Sequence, residues 1–99
     1  MLKWLTIEKI KGQLRIEPDF HDEDDILEDY GESAEDAVLN TINRTYEEVM
    51  EVYGRVPAPI RRASLLIVGS LYKDRENQLV QQVHDNPAFS LLLKPYMKL

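Results

Sequence analysis

Residues 22–53 read DEDDILEDYGESAEDAVLNTINRTYEEVMEVY. Within them Leu27, Tyr30, Ala34, Val38, Ile42, Tyr46, Val49 and Tyr53 recur in steps of three and four, the period of a single helix face. With Asp22 as N-cap and Gly54 supplying a left-handed residue past the end, the spacing predicts one helix of roughly 31 residues, about 46 Å long. A rod of that length exceeds what a compact chain of 99 residues needs, so a projecting end would call for a partner. Gly31 and Ser33 mark where it would kink.

Shorter elements flank the rod. Upstream, Thr6 is a candidate N-cap and Ile7, Ile10 and Leu14 keep helical spacing, which predicts a first helix over Ile7–Leu14 with Gly12 as its weak point. Pro18 ends whatever precedes it, because the residue before a proline is pushed out of the α region. Downstream, in RVPAPIRRASLLIVGSLYKDRE (residues 55–76), Pro57 favours an extended entry and Pro59 suits a first helical turn. Ile60, Ala63, Ile67 and Leu71 form one face of that helix, and Leu65, Leu66, Val68 and Tyr72 widen it, as in a helix buried on most sides. Gln78 to Asp85 admits either a short strand or an ordered loop near 79–84. Asn86 and Pro87 then open a last short helix, AFSLLLK, closed by Pro95. The sum is an all-α chain, a small bundle of about four helices forming one domain over residues 1–99.

Composition narrows the function. At 43% apolar and 30% charged the chain can fold, and at 99 residues it hides only about two thirds of its unfolded surface, leaving a thin core. Without cysteine there is no disulfide framework, thiolate metal site or cysteine nucleophile. The start, MLKWLTIEKIK, lacks the apolar run and small-residue cleavage site of a secretory leader. The longest apolar run, Leu65 to Val68, is far below the ~20 residues that span a bilayer, so no membrane is expected. The net charge is −6, with eleven of the eighteen acids between Glu17 and Asp36. DNA wrapping by phosphate neutralisation is therefore disfavoured, although a surface that DNA slides past would also be negative.

Each chemical reading of the acids has a plainer rival. An EF-hand loop needs a glycine at its sixth position and a glutamate at its twelfth. A frame starting at Asp19 puts Asp24 and Tyr30 there, and one starting at Glu17 puts Asp22 and Glu28, so neither fits. Asp22, Asp25, Asp29, Glu32 and Asp36 instead step by three and four as one acidic stripe, read as a solvated face rather than as catalytic carboxylates, whose pKa values must be pushed apart. His21 and His84 each stand beside an aspartate, the usual setting of surface histidines. Ser64 and Ser70 lie in the apolar helix, no triad spacing involves either histidine, and the four glycines are isolated. No enzymatic activity, metal or cofactor is expected. Arg61, Arg62 and Arg75 decorate the ends of their helix; alternatively they meet the acidic stripe of another copy, a head-to-tail contact that closes into a ring when the rotation permits.

The order of segments carries a resemblance: LTIEKIKGQLRIE, then DEDDILEDYGESAEDAV, then VPAPIRRASLLIVGSLYKDRE, then NPAFSLLLKPYM. It resembles the small head-tail connector proteins of tailed bacteriophages and prophages, also called DNA-packaging adaptors, over nearly the whole chain. The resemblance implies a mostly helical structural protein of the virion that forms a ring below the portal, extends the DNA channel and docks the next tail-proximal component. Its partners would be copies of itself, the portal protein and tail-proximal connectors, and its place the head-tail junction, after assembly in the host cytoplasm. It implies no catalytic residue. Two positions depart from the pattern: Gly31 stands where an apolar helix residue is usual, and Met97 and Lys98 follow KPY in place of an arginine. The rival reading is an acidic adaptor or DNA mimic that binds one basic protein.

Overall fold

The computed structural model describes residues 1–73 and 87–98, and these form helices without a strand. The first, α1, spans Ile7–Leu14 as its spacing predicts. Thr6 is extended and its hydroxyl accepts the Lys9 N–H, which fixes the start. Arg15, left-handed at φ 60°, returns its N–H to the Gly12 and Lys11 carbonyls and fixes the end.

The expected rod is two helices. α2 spans Asp24–Ile42 and α3 spans Tyr46–Tyr53. Between them Asn43 adopts φ 57°, a left-handed conformation that asparagine tolerates, and sends its N–H back to the Asn40 and Leu39 carbonyls. Thr45 then opens α3 with a capping box: its hydroxyl accepts the Glu48 N–H, and the Glu48 carboxylate accepts the Thr45 N–H. These bonds satisfy both helix ends, so breaking the rod leaves few backbone groups stranded. The start of α2 differs as well. Glu23 is the N-cap residue and contributes no side-chain capping bond, while Asp22 lies in the turn before it.

Gly31 does not kink α2. It is buried mid-helix, and a Cβ there would stand 2.6 Å from Leu2 Cδ2 and 2.9 Å from Ile10 Cδ1. Its lack of a side chain lets the N-terminal arm and α1 approach α2 closely. Gly54 does play its expected part, ending α3 at φ 73°.

α4 spans Ala58–Lys73 with Pro59 in its first turn. α5 spans Pro87–Leu93, and the 3-10 turn Lys94–Tyr96 follows, taking up both Lys94 and Pro95. Residues 79–84, with their alternative of strand or loop, lie outside the described residues, as do Arg75 and His84.

α2 pairs chiefly with α4, α1 packs across both, and α5 packs on α4. Ile10, Leu27, Ala34, Val38, Ile42, Ile60, Ala63, Ile67 and Leu93 are fully enclosed. Each large aliphatic among them contributes about 1.5–3 kcal/mol over its exposed state. The closing segment straps the α2–α3 break: the Lys98 N–H bonds the Ile42 carbonyl at 2.8 Å, and Arg44 Nε donates to the Tyr96 carbonyl at 3.0 Å.

Candidate assembly surfaces

The acidic stripe divides into two ends with different fates. At the C-terminal end, Glu32 accepts a hydrogen bond from the Met1 amino group, and Asp36 lies 3.9 Å from Lys3 Nζ. Both therefore face the N-terminal arm. At the N-terminal end, Asp22, Asp25 and Asp29 are exposed, and no ion pair reaches them among the described residues.

The strongest carboxylate anchor is one that the stripe does not contain. Glu35 is fully buried, and its two oxygens accept the backbone N–H groups of Lys3, Trp4 and Leu5 at 2.8–2.9 Å. An ionised carboxyl offers acceptors alone, which suits a row of donors with no other partner. Sequence reasoning missed it, although a signal was present: position 35 is four past Gly31 and seven before Ile42, on the inward face, where an acid needs an explanation.

A second buried charge sits where α1 meets the start of α2. Lys11 is only 3% exposed, and its Nζ lies 2.9 Å from Asp24 Oδ1 and 3.2 Å from the Pro18 carbonyl. His21 Nδ1 lies 2.9 Å from Asp24 Oδ2. The Lys11 ammonium first, and the His21 ring second, hold the Asp24 carboxyl below the usual carboxylate range. Asp24 is thus occupied within the chain, unlike its neighbours Asp22 and Asp25.

On the opposite sign of charge, Arg61 and Arg62 stand in the first turns of α4 and line a cleft of about 240 Å³ with Lys9 of α1, Trp4, Ala58 and Leu65. The cleft continues past Trp4 and Lys9 toward Tyr46 and Arg55. Trp4 is fixed in place: its ring stacks on Tyr46 at 6.3 Å, and its Nε1 donates to Ser64 Oγ at 3.0 Å. None of Lys9, Arg55, Arg61 and Arg62 has an ion pair among the described residues, and Arg61 Nε is enclosed without an acceptor. Among the described residues, therefore, Arg61 and Arg62 are not brought to the acidic stripe. Trp4, Lys9 and Arg55 escaped the sequence reading because three separate segments supply them, with no spacing to connect them.

Among the described residues no three histidine, aspartate or glutamate side chains are placed to hold a metal ion. Ser64 is buried, and its hydroxyl donates to the Ile60 carbonyl while accepting from Trp4. No helix among these residues is long and apolar enough to cross a membrane. What the described surface offers is two patches of opposite charge, neither paired with an opposite charge among the described residues.

Residues 5–96 match the family model described as phage gp6-like head-tail connector protein. No curated protein and no solved structure matches the chain.

Proposed function

Because the chain belongs to the phage gp6-like head-tail connector family, a family of structural virion components that work among other phage head and tail proteins, we propose that it forms a ring below the portal, lengthens the channel for DNA and presents a docking surface to the next tail component. The observation that carries this reading is the family match over residues 5–96, nearly the whole length. Two physical features support it. First, the acids and the cations without an ion pair among the described residues lie on different elements of one chain, so copies can pair head to tail. Second, a net charge of −6 disfavours adhesion of the passing polyanion. In this reading the chain is a mechanical joint without catalytic activity, at work in the virion after assembly in the host cytoplasm.

Mass measurement tests it, on the purified chain alone and mixed with the portal protein of the same phage. The expected result is a large ring, alone at high concentration or templated by the portal and coaxial with it in electron micrographs. A chain that stays monomeric in both settings, and instead competes with DNA for a basic protein, overturns the reading in favour of a DNA mimic.

A further inference from the structure

The start of α2 presents a small knob of mixed character. Ile26 is 42% exposed, and three exposed acids flank it: Asp25 precedes it directly, Asp29 follows about one helical turn later, and Asp22 lies in the turn before the helix. The cleft between α1 and α4 has the inverse design: apolar walls from Trp4, Ala58 and Leu65, rimmed by Lys9, Arg61 and Arg62. Neither feature is satisfied by the described residues of its own chain. No ion pair reaches the three aspartates or the three cations among the described residues.

We propose that this cleft receives the start of α2 from a second copy of the chain, with Ile26 against the Leu65 and Trp4 wall and Asp25 and Asp29 opposite the cationic rim. The inference rests on the ring reading above and names the contact that would build it. Each copy carries one knob and one cleft, so the contact is heterologous, and it propagates until the rotation per step closes it. Arg62 is exposed and Arg61 half-buried where both line the cleft, so an incoming carboxylate meets guanidinium groups that no acid among the described residues occupies. A DNA phosphate is the competing occupant, but it offers nothing to cover Ile26, and the chain's overall charge repels it.

Charge reversal tests the contact at exposed positions whose side chains make no hydrogen bond within the described fold. One variant carries Lys9→Glu with Arg62→Glu, a second carries Asp25→Lys with Asp29→Lys, and a third carries all four; circular dichroism confirms that each is folded. Sedimentation velocity then reads self-association. Each two-site reversal should weaken it by more than about tenfold, and the four-site variant should recover most of the loss, because opposite charges again face each other. If neither reversal changes assembly, or if the four-site variant fails to recover, the proposed contact is wrong while the ring itself stands. A cleft reversal that abolishes retention of a duplex oligonucleotide and leaves assembly intact also overturns it, in favour of DNA. A wild-type chain that never associates, even with portal, overturns the ring reading and this contact together.

Discussion

Glu35 shows how much one buried carboxylate can organise. It gathers three consecutive backbone donors and so seats the arm that carries Trp4, the central wall of the basic cleft. Removing it leaves those donors without acceptors. Glu35→Ala should therefore cost about 3 kcal/mol in urea unfolding, and Glu35→Gln about half as much, since one acceptor oxygen remains. Gly31 answers to the same arm. Gly31→Val places a branched side chain against Leu2 and Ile10, and overpacking of this kind should destabilise by about 2–3 kcal/mol, partly relieved in a Leu2→Ala background. The Asp24 carboxyl adds a pH dependence of defined sign. Its pairing with Lys11 and His21 lowers the folded pKa beneath the unfolded value, so its contribution is present above about pH 4 and is lost as the pH falls through the folded pKa. Asp24→Asn should accordingly be less stable than wild type at pH 7, with the gap closing below about pH 4 in unfolding titrations.

At the scale of elements, legibility followed local chemistry. α1 was readable to its ends because a capping threonine and three apolar residues at helical spacing agree. The junction of α2 and α3 was not, because Ile42, Tyr46, Val49 and Tyr53 keep the same steps across the break, so periodicity alone reads through it. Its true marker was Thr45 followed three residues later by Glu48, a capping box inside an apparently continuous pattern. Thr45→Ala should lower stability by about 1 kcal/mol, whereas Asn43→Gly should be nearly neutral because glycine also accepts the left-handed backbone. Thermal or urea unfolding distinguishes the two. The acidic stripe was legible as a row but not in its division of labour, since nothing in the spacing says that the arm folds back onto Glu32 and Asp36.

At the scale of the whole molecule, the charges that the fold leaves unpaired matter more than those it pairs. Glu32, Glu35, Asp36 and Asp24 are used internally, while the Asp25–Asp29 knob and the cleft cations remain available to a partner. A small helical chain with two such surfaces suits a repeating joint, and the chain belongs to a family named for the junction of phage head and tail. At that junction the chain's role has a visible consequence. In a phage or prophage whose copy of this reading frame carries an early stop codon, electron microscopy of induced lysates should show heads and tails accumulating separately, with joined particles restored when the chain is supplied in trans. Normal joined virions in the absence of the chain would show that it is not the joint between head and tail.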